Sequence, residues 1–169
     1  LTGIPLLAAY FRDALKKELE QDSLVVIPPD IGAVTRARRF AVPLNADLAI
    51  VDKRRSHEVA NFSEVMEVIG DVSGKTAVLV DDIIDTAGTM VQAAEAVLAR
   101  GAKKVYACAT HGVLSGPAIE RISRSPIHQV VLTNTIPLQE EKRIDKITVL
   151  SIAPLFAEAI SRIHSDHSV

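Results

Sequence analysis

Short, continuously apolar runs rich in β-branched residues alternate along this chain with stretches whose apolar residues recur every three or four positions. Leu24-Val25-Val26-Ile27, Leu48-Ala49-Ile50-Val51, Thr76 to Val80, Lys104 to Ala109 and Gln129 to Thr133 are the runs. A run without interleaved polar residues suits a strand buried on both faces, as in a parallel sheet. Between them lie helical patterns. From Ile4 to Glu20, the residues Leu7, Tyr10, Phe11, Ala14 and Leu15 share one face. Thr89 to Arg100 carries Val91, Ala94, Val97 and Leu98, with Gly101 placed as a C-cap. Ser115 to Ile122 and Ser151 to Ile163 are further helical candidates. Strands alternating with helices predict an α/β fold: a doubly wound, mostly parallel sheet of about five strands with helices on both faces.

Composition narrows the classes further. A length of 169 residues reads as one domain spanning 1–169, at roughly 150 residues per domain. A hydrophobic content of 48% excludes intrinsic disorder. Cys108 is the single cysteine, so a disulfide scaffold is excluded and a reducing, cytoplasmic setting is expected. The net charge of −2 offers no bulk electrostatic case for nucleic acid. No apolar run is long enough to predict a membrane-spanning helix. The apolar opening Leu1 to Ala9 lacks preceding basic residues and is interrupted by Pro5, unlike a signal peptide. A start at Leu1 rather than Met reads as a processed product or an excerpt of a longer protein.

In doubly wound sheets ligands bind beyond the carboxyl ends of the strands. The strongest such segment is Val78-Leu79-Val80-Asp81-Asp82-Ile83-Ile84-Asp85-Thr86-Ala87-Gly88-Thr89. Two carboxylates emerge from a buried strand, followed by a loop of small and hydroxylated residues and then a helix. Ala87 and Gly88 let backbone amides approach a phosphate, Thr86 and Thr89 offer hydroxyls, and the helix N-terminus adds partial positive charge. Ribose hydroxyls donate to carboxylates. Two acids beside an anion cradle therefore suit a ribose phosphate, and they also suit Mg²⁺ bridging to phosphate. Alone, the acid pair would do no more than end a strand.

This string resembles the phosphoribosyl-diphosphate (PRPP) motif of the phosphoribosyltransferase fold, shared by enzymes that make PRPP and enzymes that consume it. The second strand separates these two. It ends in Asp52-Lys53-Arg54-Arg55, followed by Ser56 to Asn61 and then Ser63-Glu64-Val65-Met66. Consecutive bases form either a solvated edge or fixed cations for a transferring polyphosphate. The block resembles the catalytic loop of ribose-phosphate pyrophosphokinases, and the resemblance implies catalytic roles for Lys53 and Arg55. Relative to that family, this chain carries about two extra residues between Arg55 and Ser63-Glu64-Val65-Met66. Ala109 to Pro117, Thr133 to Pro137, and Asn61 to Met66 with Ile69 to Val72 resemble the same family.

After the first strand, Pro28-Pro29-Asp30-Ile31-Gly32-Ala33 resembles that family's pyrophosphate loop, with Pro28 and Ala33 replacing a Ser and a Gly. The resemblance assigns Asp30, Ile31, Gly32 and Ala33 to pyrophosphate and Asp30 to Mg²⁺. A methyl at Ala33 would crowd a backbone–phosphate contact. On the basic helix that follows, Arg36 and Arg39 read as mostly a solvated face. Of the histidines, His111 sits in a strand-end turn and is a candidate for facing substrate. His57, His128, His164 and His167 read as solvated, and the five do not form a metal site.

The resemblance implies diphosphoryl transfer from ATP to ribose 5-phosphate. Asp85, Thr86, Ala87, Gly88 and Thr89 would hold the 5-phosphate, and Asp81 and Asp82 the ribose hydroxyls. It also implies a homo-oligomer, a hexamer built from dimers. Family members are about twice this length, so the chain reads as the carboxy-terminal half, with the ATP-binding amino-terminal half absent and little activity alone. A stand-alone type I phosphoribosyltransferase and a non-catalytic regulatory homologue are the alternatives. The first would need a nucleobase hood, for which no spare segment is evident. The second would have lost the acids or the Lys–Arg pair.

Overall fold

The computed structural model describes residues 1–55 and 64–169. Helices α1 (Ile4–Ala14) and α2 (Lys16–Glu20) precede strand β1 (Leu24–Ile27) and helix α3 (Val34–Ala41). Strands β2 (Asp47–Leu48), β3 (Ile50–Arg55) and β4 (Glu64–Ile69) follow, then β5 (Thr76–Ile84) and α4 (Gly88–Ala99). The remainder is β6 (Lys104–Gly112), α5 (Ala118–Arg124), β7 (Gln129–Thr133), β8 (Ile147–Leu150) and α6 (Ala153–His164).

A six-stranded parallel sheet in the order β2-β1-β5-β6-β7-β8 forms the centre. Along β5, Ala77 and Leu79 join one apolar layer with Met90, Ala93 and Val97 of α4 and Ile122 of α5. Val78 and Val80 join the opposite layer with Leu7 and Phe11 of α1 and Phe40 of α3. Successive residues of one strand are thus buried on both sides, which is why these strands read as unbroken apolar runs.

Four expectations need correction. The run Leu48 to Val51 is not one strand: β2 closes the main sheet, and β3 leaves it to pair antiparallel with β4. The apolar runs do not mark β4 or β8. Both mix charged or polar residues with apolar ones, and the described side chains of β4 (66–69) and those of β8 are mostly not buried, so the two lack the signature of a doubly buried strand. The helix expected over Ile4 to Glu20 breaks at Leu15, whose backbone leaves helical geometry (φ −116°, ψ 32°) while its side chain stays buried. Finally, β5 does not end at Val80. Its ladder with β6 continues through Asp81↔Ala109 and Ile83↔His111, so both acids sit inside the strand.

Candidate functional site

The strand order reverses direction between β1 and β5: the chain steps outward from β1 to β2, then on the other side from β5 to β8. That reversal opens a crevice at the strands' carboxyl ends, the favoured ligand position in such sheets. Asp30 follows β1 there, and the segment Asp85-Thr86-Ala87 follows β5. A cavity of ≈160 Å³ in this crevice is lined by Asp30, Asp81, Ile83, Ile84, Asp85, Thr86, Ala87, Gly88, Thr89 and Met90.

The loop geometry has local causes. Ala87 is left-handed (φ 60°, ψ 5°) and caps α4. Such a backbone is costly for an L-residue, but the Ala87 methyl is buried in the α4-side core, which offsets the strain. The turn presents the first amides of α4, those of Gly88, Thr89 and Met90, which have no intrahelical acceptor. Two side chains brace the loop from behind. Ser115 Oγ donates to Asp85 Oδ1, and Arg121 Nη1 donates to the Thr86 carbonyl at 3.0 Å. A Cβ at Gly88 would come within 3.3 Å of Arg121 Nη1, so glycine keeps that brace close.

The acid pair is clamped by one guanidinium. Arg36 Nη1 donates to Asp81 Oδ1 at 2.7 Å, and Arg36 Nη2 donates to Asp82 Oδ2 at 2.5 Å. The Asp82 N–H also donates to Asp81 Oδ1, at 2.8 Å. Burial pushes the Asp81 carboxyl up to about 6, with a further rise from Asp82, while the Asp82 amide and Arg36 pull it down. Asp82 lines a second cavity of ≈330 Å³, together with polar Arg36, Thr110, His111 and Thr135 and apolar Ile152, Leu155 and Phe156. His111 Nδ1 lies 2.9 Å from Thr135 Oγ1.

The predicted residues divide as follows. Asp30, Asp81 and Asp85 to Thr89 line the smaller cavity, and Asp82 lines the larger. Asp30 caps a short 3₁₀ turn, accepting the Ala33 N–H at 3.2 Å through Oδ1. Ile31 is exposed, and Gly32 lies in a shallow groove with Arg36 and Arg39. Ala33 is buried and does not line the smaller cavity, so its methyl does not crowd that space. Lys53 and Arg55 lie on β3, opposite Met66 and Glu64. Their side chains lie outside those described, as do His57 and the rest of the loop over 56–63. Among the described residues no three acidic, His or Cys side chains cluster as a metal site. Cys108 is fully buried, and burial raises its thiol strongly.

Arg36 corrects the sequence reading. It is not a solvated residue: its side chain is 27% exposed and bound to both acids. Nothing local in the sequence marks Ser115 or Arg121 as part of the site. The only sequence signal for Arg36 was its place on a helix following a site loop. The 45-residue separation from Asp81 hides the pairing.

Comparison with known proteins identifies the family. The profile of the phosphoribosyl synthetase-associated domain matches residues 37–169. The chain belongs to this family. Ribose-phosphate pyrophosphokinase of Caldanaerobacter subterraneus subsp. tengcongensis is 67% identical over 169 residues, covering 100% of this chain and 52% of that protein. The Bacillus subtilis protein of the same name is 53% identical, again over 100% of this chain and 51% of the relative. The chain thus spans about half the length of the curated relatives it matches. The crystal structure of phosphoribosylpyrophosphate synthetase from Mycobacterium smegmatis superimposes with a TM-score of 0.86 at 40% identity, covering 97% of this chain and 51% of that one. A purine phosphoribosyltransferase structure from Pyrococcus horikoshii matches with a TM-score of 0.51 at 19% identity over 88% of this chain and 84% of the other, which shows a shared fold.

Proposed function

We propose that this chain is the ribose-phosphate-holding half of a ribose-phosphate pyrophosphokinase. The enzyme would transfer the diphosphoryl group of ATP to ribose 5-phosphate, giving PRPP and AMP. One observation carries the reading: an anion-cradling loop and a carboxylate share a single cavity at the point where the strand order reverses. Family membership supports it.

In this reading the amides of Gly88 and Thr89 and the hydroxyls of Thr86 and Thr89 hold the 5-phosphate. Asp85, its carboxylate engaged by Ser115, keeps the loop in shape. Asp81 and Asp82 accept the ribose hydroxyls and orient the anomeric one. The anomeric oxygen attacks the β-phosphorus, the bond from that phosphorus to the α–β bridging oxygen breaks, AMP leaves, and the hydroxyl proton is lost. Lys53 and Arg55 stabilise charge on the group in flight. Positioning supplies much of the rate, because little covalent chemistry is asked of the protein.

Asp30 fits a Mg²⁺ ligand: one oxygen takes the Ala33 N–H, the other is left for a cation, and Mg²⁺ commonly uses one or two carboxylates plus substrate phosphates. The ion would neutralise the polyphosphate. The pyrophosphate would lie along Asp30, Ile31, Gly32 and Ala33. ATP would be bound mostly by a second, amino-terminal half, and the enzyme would work in the cytoplasm as a homo-oligomer. Among the described residues no helix is long and apolar enough to cross a membrane.

A ³¹P NMR time course of the chain with ribose 5-phosphate, ATP and Mg²⁺ tests this division. The expected result is a shifted 5-phosphate signal, abolished by Thr89→Ala, without turnover. Appearance of PRPP and AMP would overturn the assignment of ATP to another half. An unshifted signal would overturn the ribose-phosphate site.

A further inference from the structure

The acids of β5 are not independent. Because side chains alternate along a strand, Asp81 and Asp82 start toward opposite faces of the sheet. They accordingly serve different cavities, Asp81 the loop cavity and Asp82 the larger one. One side chain joins them. Arg36 reaches from α3 to the end of β5 and spends its two Nη groups on one oxygen of each carboxylate. A planar fork makes this contact through two donors held at a fixed angle, one per carboxylate, whereas a lysine ammonium is a point charge on a flexible stem. The guanidinium does not line the loop cavity, so it is not a phosphate ligand there. Its two bonds engage Asp81 Oδ1 and Asp82 Oδ2, so each carboxylate has a second oxygen, Asp81 Oδ2 or Asp82 Oδ1, that the guanidinium does not take.

We propose that Arg36 is a positioning residue for the sugar: it fixes the Asp81–Asp82 pair so that the remaining oxygen of each meets the ribose hydroxyls. The inference rests on the ribose 5-phosphate reading above and adds a determinant of sugar selectivity to it. Arg36 acts through the acids and touches no reacting atom. Its single positive charge offsets part of the repulsion between two adjacent carboxylates, and it holds both rotamers before the sugar arrives. The ordering cost is then met in the fold and not on binding. Selectivity follows from the same geometry. A sugar lacking one hydroxyl leaves a fixed acceptor unmatched, whereas an unclamped pair can turn to water.

Isothermal titration of the chain with ribose 5-phosphate, 2-deoxyribose 5-phosphate and inorganic phosphate tests this. The proteins compared are the parent, Arg36→Met and Arg36→Lys. The parent should favour ribose 5-phosphate over its 2-deoxy analogue. Arg36→Met should weaken ribose 5-phosphate about tenfold or more, leave inorganic phosphate nearly unchanged, and collapse the preference between the two sugars. Arg36→Lys should restore only part of that preference. A merely structural role would weaken all three ligands together, and that result would overturn the proposal. Tighter sugar binding by Arg36→Met would also overturn it, by showing that the guanidinium competes with the sugar. If the Met variant fails to fold by circular dichroism, the Lys variant carries the same comparison, and an unchanged sugar preference in it refutes the clamp. A parent that binds ribose 5-phosphate no better than inorganic phosphate would instead refute the ribose reading itself.

Discussion

Replacing Asp81 by Asn removes a charge that the fold holds at a cost. The Asp81 carboxyl lies near about 6 instead of its ordinary 3.8, chiefly because burial strips water from it. In the window between these values the folded state binds more protons than the unfolded state, so stability falls as pH rises. The contribution is fully present below 3.8 and lost as pH climbs through about 6. At about 1.4 kcal/mol per pH unit the ceiling is about 3 kcal/mol. Solvent reaches the pair through Asp82, whose side chain is 51% exposed, and screening reduces the expected effect to about 1–2 kcal/mol. Asn keeps an acceptor oxygen for Arg36 and for the Asp82 amide and carries no charge to desolvate. Asp81→Asn should therefore match the parent near pH 4 and exceed its stability by about 1–2 kcal/mol at pH 8. Urea unfolding of both proteins across this range gives the difference directly and cancels the titration of the other carboxylates. A difference that stays flat with pH, or that favours the parent at pH 8, would refute the reasoning. Sugar binding should weaken in the same variant, as expected where a functional charge is kept at the expense of stability.

Other outcomes follow from the same geometry. Lys53→Ala in the complete enzyme should lower kcat by about 10²–10³-fold with little change in KM for ribose 5-phosphate; an equal loss in both would refute its assignment to the transferring group. Phe11 is fully buried and meets Tyr10, Phe40 and Tyr106 edge-on, with ring centroids 5.4, 5.9 and 5.9 Å away. Phe11→Ala should cost about 3–5 kcal/mol in urea unfolding, and a loss under about 1 kcal/mol would mean the layer repacks freely. Gly70 has φ 112°, and a Cβ there would lie 3.0 Å from Ala49 Cα, so Gly70→Ala should destabilise by at least about 1 kcal/mol. Cys108 should resist a thiol reagent in the folded chain and react once urea unfolds it, because its thiol is fully buried and held protonated. Rapid labelling of the native protein would contradict that.

The central strands were legible because burial on both faces leaves an unbroken apolar run, as in Leu24 to Ile27 and Gln129 to Thr133. The helix after the acids was legible for its periodicity, and Gly101 does adopt the left-handed conformation (φ 94°) expected just past its end. What escaped was set by partners distant in sequence. The Leu48 to Val51 run splits because β2 pairs with β1 while β3 pairs with β4, and a run of four apolar residues cannot announce two neighbours. β5 extends to Ile84 because β6 runs beside it, which no local pattern around Asp81 reveals. In the site, the loop residues Asp85 to Thr89 were legible as a contiguous string. Arg36 was not, since a basic helix face looks solvated until the helix is packed against the strand that carries the acids.

The most direct test of the central claim is a crystal structure of the chain with ribose 5-phosphate bound. The phosphate should lie against the amides of Gly88 and Thr89, with ribose hydroxyls on Asp81 and Asp82 and Arg36 still bridging both acids. A phosphate seated on Arg36 and Arg39 beside Gly32, with the β5–α4 loop empty, would contradict it.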